Sequence, residues 1–434
     1  MQACSRQISI SPPFQCWGLL LAGRPRHISG RRAPWVQISL CLLLLLGYCA
    51  SGRAAPEGTV VLVSIDGFGH NYLERFEAPA LKAMAGEGFR VKRLLPVYPT
   101  NTFPTHLSMA TGQPPEQHGV EDNHFCDRAR GDCYHLGAGK TQPHWLKGVP
   151  IWRWVELQGG IAATYFWPES DAPWAGGVPT YSLPYDKSAP YADRVDQVLE
   201  WLQLPDDQRP NLVTLYFSLV DTAGHDYGPN SVEVAIAVSE VDRHVGDLWR
   251  GIRALKRPDI NLLVVSDHGM TTIEGDKVIL TTDLPTVDGL SQLRSSARLR
   301  YYVQEPGVDI EAFAARLNDA AEGRYRVLDR AAALALGGNT EDSVPDLTLL
   351  TEPPAYFSRI PGSPGGQRGA HGYLASHPDM AAFALGVGPG FRHTEIAQAR
   401  QLDIFPLILN ILGLPDPGPL PSDGGPLLSA RVKD

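Results

Sequence analysis

The chain has 434 residues, 43% of them hydrophobic and only 20% charged, which is enough apolar mass for a large core and excludes wholesale disorder. Its 38 Lys+Arg against 47 Asp+Glu leave a formal net charge of -9, the wrong sign for a protein that holds nucleic-acid polymers. Length alone suggests roughly two or three domains, although large α/β enzymes fold as one elaborated unit.

Residues 1–54 carry six arginines and no Lys, Asp or Glu, so the remainder holds 32 Lys+Arg against 47 Asp+Glu, a balance of -15. The basic stretch runs into the apolar segment Val36–Gly47 and then the small-residue tract from Ala50 to Ala55. This pattern predicts a cleaved export leader over 1–54 and a catalytic domain over 55–434; a retained membrane anchor is the alternative. The expected location is therefore extracytoplasmic, periplasmic or secreted, with membrane contact only if the leader stays on. Four of the six cysteines lie in the leader, leaving Cys126 and Cys133 beyond it. In an oxidising compartment the pair would close a small surface loop; two free thiols are the other reading.

Thr59–Ile65 reads as a buried parallel strand ending at Asp66-Gly67, because its continuous Val/Leu/Ile run suits a strand covered on both faces. Pro79–Gly88 reads as a helix. The segment 124–190, rich in Trp, Pro, Tyr and Gly, reads as an elaborated loop region or lid beside the site. Tyr191–Leu204 has helical spacing, and Leu212–Val220 reads as a second buried strand ending at Asp221. After Ser231, a predicted N-cap, apolar residues from Ala235 to Leu255 recur at helical spacing. Asn261–Val265 is a third strand, ending at Ser266-Asp267-His268. A small subdomain is expected over about 285–365, with strands Leu299–Val303 and Leu347–Leu350 and a helix Ile310–Ala321. The alternation predicts an α/β fold with a mostly parallel sheet sandwiched between helices, and ligand sites in such sheets form beyond the carboxyl ends of the strands.

Six metal-ligating side chains fall in four short motifs: Asp66 in SIDGF, Asp221 and His225 in DTAGH, Asp267 and His268 in SDHGM, and His371 in GAHGY. Taken singly, an Asp there is a cap or turn residue and a His an ordinary polar side chain. Together they are a ligand set for two zinc ions. Thr102, in YPTNTFPTH, is a candidate nucleophile if a helix begins there, because backbone N–H groups at a helix start favour phosphate oxygens.

The motifs SIDGF, YPTNTFPTH, EDN, DTAGH-DYGP, SDHGM and AHGY, in this order and at about this spacing, resemble the nucleotide pyrophosphatase/phosphodiesterase family of the alkaline phosphatase superfamily. The resemblance covers nearly all of residues 58–415 and implies an alkaline-phosphatase-like fold. It implies one zinc ion held by Asp221, His225 and His371, and a second held by Asp66, Asp267 and His268, with Thr102 completing the shell. Thr102 would then attack phosphorus, and water would hydrolyse the covalent intermediate. Asn123, helped by the backbone N–H of Phe103, would donate to a phosphoryl oxygen. Phe103 and Tyr185 would sandwich a nucleobase, Trp167 would sit in the pocket wall, and Lys140 would contact base or ribose. The implied activity is hydrolysis of nucleotide phosphodiester or pyrophosphate bonds, releasing nucleoside monophosphates, with a small nucleotide or diester as partner. A lipid-derived diester such as a glycerophosphocholine is the alternative substrate, and a non-enzymatic binding module is disfavoured because no ligand or nucleophile is missing. The absence of a suitable cysteine disfavours a sulfatase.

Overall fold

The computed structural model describes residues 56–362 and 367–432, so the expected leader and its four cysteines lie outside the described residues. Eight strands form the main sheet: β1 (Thr59–Ile65), β2 (Phe89–Leu95), β3 (Ala162–Tyr165), β4 (Tyr181–Leu183), β5 (Leu212–Phe217), β6 (Ile260–Val265), β7 (Ala382–Val387) and β8 (Thr394–Arg400). Their spatial order is β8-β2-β7-β6-β1-β5-β3-β4. Strand β7 runs antiparallel to β2 and β6, and the other pairings are parallel.

Alternation along β1 explains its unbroken apolar sequence. Val60 and Leu62 enter one core with α2 (Thr102–Thr111) and α6 (Ile404–Leu412). Val61, Val63 and Ile65 enter the opposite core with α1 (Pro79–Glu87), α3 (Tyr191–Leu202) and α5 (Val232–Ala254). Successive side chains point to opposite faces and both faces are covered, so both sets are apolar, while the buried hydroxyl of Ser64 on the same strand meets His106 Nε2. The Ser231 hydroxyl caps α5 by accepting from the Val234 N–H, an interaction worth about 1 kcal/mol.

One reading needs correction. The apolar run from Leu212 is not strand to Val220: β5 stops at Phe217, and α4 (Leu219–Tyr227) follows at once. Apolar continuity alone does not separate a strand from a buried helix start. Asp221 and His225 therefore sit one helical turn apart on α4 rather than beyond a strand end. The segment 124–190 is mostly loop, as expected, and within it lie the hairpin His124–Asp127/Asp132–His135, the helix Ile151–Leu157, and strands β3 and β4 at the edge of the main sheet. Elements of three to seven residues are too short to show periodicity. Cys126 and Cys133 face each other across the hairpin and are disulfide-bonded.

Within the chain segment 290–350, the strands Leu290–Arg294, Arg298–Val303, Leu347–Leu350 and Arg326–Asp329 form a four-stranded antiparallel sheet. Leu299, Tyr301, Phe313, Leu317 and Leu349 give it an apolar cluster of its own.

Candidate active site

Strand order brings the ligands together. β1 lies between β5 and β6, so Asp66, leaving β1, is flanked by α4 on one side and by Asp267-His268, leaving β6, on the other. Gly67 permits the close approach: its φ is +70°, and a Cβ there would stand 2.8 Å from the Asp221 Cα. His371 arrives from the segment after the short strand Gly369–Ala370, and its ring stacks on that of His268 with centroids 3.6 Å apart.

Each imidazole is aimed the same way. The Nδ1 atoms of His225, His371 and His268 donate to the carbonyls of Gly369, Thr100 and Gly269 at 2.9, 2.9 and 3.0 Å. A carbonyl only accepts, so Nδ1 carries the proton and Nε2 offers a lone pair, the arrangement typical of metal-ligating histidines. Those Nε2 atoms face carboxylates: His225 and His371 lie 3.5 and 3.7 Å from Asp221 Oδ1, and His268 lies 3.6 Å from Asp66 Oδ1 and 3.1 Å from Asp267 Oδ2. These same three carboxylate oxygens are buried without a hydrogen-bond partner.

Two triads have ligand atoms within 4.8 Å of one another: Asp221, His225 and His371, and Asp66, Asp221 and His268. Asp221 thus reaches both positions, where the sequence placed it in one, and Asp267 borders the second. Burial, reinforced by Asp267 and Asp221, pushes the Asp66 carboxyl well above the usual carboxylate range. Burial opposes the Asp267 charge too, but His268, His106 and the Gly67 N–H outweigh it and hold its carboxyl below that range. Burial and the neighbouring imidazoles of His268 and His225 push His371 well below its ordinary value. Three crowded carboxylates, three imidazoles with Nε2 turned toward them and three orphaned oxygens fit divalent cations.

The nucleophile candidate stands beside this cluster. Thr102 opens α2, and its Oγ1 lies 3.3 Å from His268 Nε2. Asn101, at the cap position, does not use its side chain as a cap; its Nδ2 donates to Asp122 at 2.7 Å. The Phe103 N–H donates instead to Asn123 Oδ1 at 3.1 Å. With its Oδ1 accepting from Phe103, the Asn123 side chain has its amide NH₂ left to donate.

A cavity of about 400 Å³ opens from the cluster, lined by Asp66, Thr102, Phe103, Asn123, Lys140, Trp167, Asp171, Tyr185 and Tyr216 among others. Trp167 is buried and donates its indole N–H to the His106 carbonyl at 3.2 Å, so it serves as fixed wall. Tyr185 is 54% exposed and packs edge-on against Phe166. Lys140 pairs with Asp171. Sequence reasoning missed two neighbours: Tyr216, whose hydroxyl donates to Asp66 Oδ2, and His106, fully buried, with Nε2 2.7 Å from Ser64 Oγ and Nδ1 2.8 Å from the Thr102 carbonyl. His106 closes the YPTNTFPTH motif, which was its one sequence signal, and nothing local marked Tyr216.

Residues 60–374 match the family described as Type I phosphodiesterase / nucleotide pyrophosphatase, and the chain belongs to that family, within the alkaline phosphatase superfamily. It is 32% identical over 395 residues to the venom phosphodiesterase of Macrovipera lebetinus, covering 87% of this chain and 46% of that protein. It is 33% identical over 398 residues to ectonucleotide pyrophosphatase/phosphodiesterase family member 1 of Homo sapiens, covering 87% and 42%. The chain spans less than half the length of these relatives. Its fold matches that of inactive murine ectonucleotide pyrophosphatase/phosphodiesterase 5 in complex with AMP, with a TM-score of 0.81 at 25% identity, over 87% of this chain and 100% of that one.

Proposed function

We propose that this protein is a two-zinc phosphodiesterase that hydrolyses nucleotide phosphodiester or pyrophosphate bonds and releases nucleoside monophosphates. The carrying observation is the orphaned oxygen on each of Asp66, Asp221 and Asp267, facing three imidazoles of fixed tautomer beside Thr102. Asp221, His225 and His371 would hold one ion, and Asp66, Asp267 and His268 the other, with Asp221 near both. When bound, the ions supply positive charge that lowers the pKa of a hydroxyl and offsets charge developing on the attacking and leaving oxygens.

The chain's own groups do the rest. Thr102 Oγ, deprotonated, forms a bond to phosphorus while the bond from phosphorus to the leaving oxygen breaks; water then attacks phosphorus, and the Thr102 oxygen leaves and regains a proton. The Asn123 NH₂ donates to a non-bridging phosphoryl oxygen. Phe103 and Tyr185 offer ring faces to a base, with Trp167 as wall and Lys140 as polar contact, and stacking holds a nucleotide without specifying it. In support, the murine structure of similar fold holds AMP and was made inactive by one threonine-to-alanine change. A glycerophosphocholine would need an anionic or aromatic cage for its quaternary ammonium, whereas a base-stacking slot between Phe103 and Tyr185 favours a nucleotide. Of the carboxylates lining the cavity, Asp171 is paired with Lys140, and one oxygen of Glu169 accepts from the Tyr134 hydroxyl and the Gly139 N–H.

An extracytoplasmic location completes the proposal, because the Cys126–Cys133 bond suits an oxidising compartment. No helix among the described residues is long and apolar enough to cross a membrane. The test compares a chromogenic nucleotide diester, a chromogenic phosphate monoester and a glycerophosphocholine diester, each with and without chelator. We expect chelator-sensitive cleavage of the nucleotide diester above the others. Activity that survives metal removal would overturn the proposal.

A further inference from the structure

The strand Arg298–Val303 presents two chemically opposite faces. Leu299 and Tyr301 enter the apolar cluster of the four-stranded sheet, while Arg298 and Arg300 emerge on the other side, as alternation requires. Both arginines are buried, and both meet one carboxylate: Asp122 Oδ2 lies 2.7 Å from Arg298 Nη2 and 2.6 Å from Arg300 Nη1. The other oxygen of Asp122 accepts from Asn101 Nδ2 at 2.7 Å and from the Asn123 N–H at 2.8 Å. Asn101 precedes Thr102. A single buried carboxylate therefore grips the residue next to the nucleophile candidate and the residue proposed to bind the phosphoryl oxygen.

The grip continues on either side. The Arg298 guanidinium lies over the Tyr98 ring, 5.1 Å from its centroid, in the segment leading to Thr102. Gly338, with φ +80°, sits so close to that segment that a Cβ would be 2.4 Å from the Tyr98 carbonyl oxygen. Two guanidiniums on one carboxylate also leave an uncompensated buried cation. Apolar packing would brace two loops at lower cost than a desolvated ion triad, so simple bracing does not account for it.

We propose that Arg298 and Arg300 are positioning residues for phosphoryl transfer, acting through Asp122 to hold Asn123 and the start of α2 in register with each other. The inference rests on the phosphodiesterase reading above. A chromogenic nucleotide diester is assayed with the unsubstituted protein, Arg300→Lys, Asn123→Ala and the double variant, with metal content and circular dichroism recorded for each. Arg300→Lys should lower kcat at least about tenfold with KM changed less than about threefold and metal content intact. In the Asn123→Ala background the same change should cost less than about threefold, because the two act as one unit. Equal losses in both backgrounds, or no loss in the first, overturn the inference. If Arg300→Lys does not fold, Arg298→Lys takes its place in the same cycle; if neither folds, the triad is structural and the inference is overturned. Lack of chelator-sensitive cleavage by the unsubstituted protein would instead remove the phosphodiesterase reading itself.

Discussion

The ligand cluster and the cavity beside it are built differently. Asp66 and Asp267-His268 leave adjacent central strands and are buried, and each histidine ring is pinned by a backbone carbonyl. The cavity wall comes from the segment 136–185, joined by Phe103 and Tyr216, and its outermost ring, Tyr185, is more than half exposed. Chemistry thus rests on the part of the molecule least free to move, and recognition on the part most free to vary, a division that catalytic preorganisation favours.

The sharpest way to break that division is at Thr102. Thr102→Ala should cost at least about 10³-fold in kcat on a nucleotide diester, with metal content unchanged by elemental analysis. A loss confined to KM would place Thr102 with the recognition surface instead. Next comes Asp221, which reaches both triads. Asp221→Ala should reduce bound metal at both positions and lower activity by at least about 100-fold, whereas His225→Ala should deplete one position only. Equal metal loss in the two variants would contradict the shared role of Asp221.

On the recognition side the expected effect is smaller and of another kind. Tyr185→Ala should raise KM for a nucleotide diester about tenfold with little change in kcat, because a stacked base is worth about 1–3 kcal/mol. A comparable fall in kcat would show that the wall also orients the reacting phosphate.

The smallest effect concerns stability behind α2. His118 is buried with Nε2 donating to the Pro104 carbonyl at 3.2 Å, and burial pushes its imidazole down to about 3. Its pKa is lower folded than unfolded, so the unfolded chain takes up the proton first as pH falls. The stability it contributes is complete above about pH 6.5 and is lost below it, at up to about 1.4 kcal/mol per pH unit. Urea midpoints for the unsubstituted protein and His118→Gln at pH 7.5 and 5.5 should differ in slope, and parallel slopes would remove His118 as a source of acid sensitivity.

How much of this was legible in the sequence depended on range. Strand β1 and the helix after Ser231 were readable because their patterns are local and long. The ligands were readable because each motif keeps its residues within a few positions. Helix α4 was not, since Leu219 and Val220 prolong the apolar run of β5 and helix and strand share that composition. Strands β3 and β4 were too short to declare themselves. The partners of Asp122 were out of reach for a different reason: 176 residues separate it from Arg298, and no local pattern records such a meeting. The role of Trp167 was equally hidden, because its indole N–H is satisfied by a carbonyl 61 residues away.

The scatter of ligands along the chain, from Asp66 to His371, also sets an order of events in biogenesis. A chain emerging from its N-terminus cannot present its final imidazole until most of it has been synthesised or threaded across a membrane. Strands β1, β5 and β6 can therefore pair before His371 is there to complete the triad with Asp221 and His225. We accordingly predict that the ions are acquired after chain assembly, in the compartment where folding ends. Refolding monitored by tryptophan fluorescence should then proceed in chelator to a native-like spectrum, with zinc added afterwards restoring activity; a strict need for zinc during refolding would refute that order.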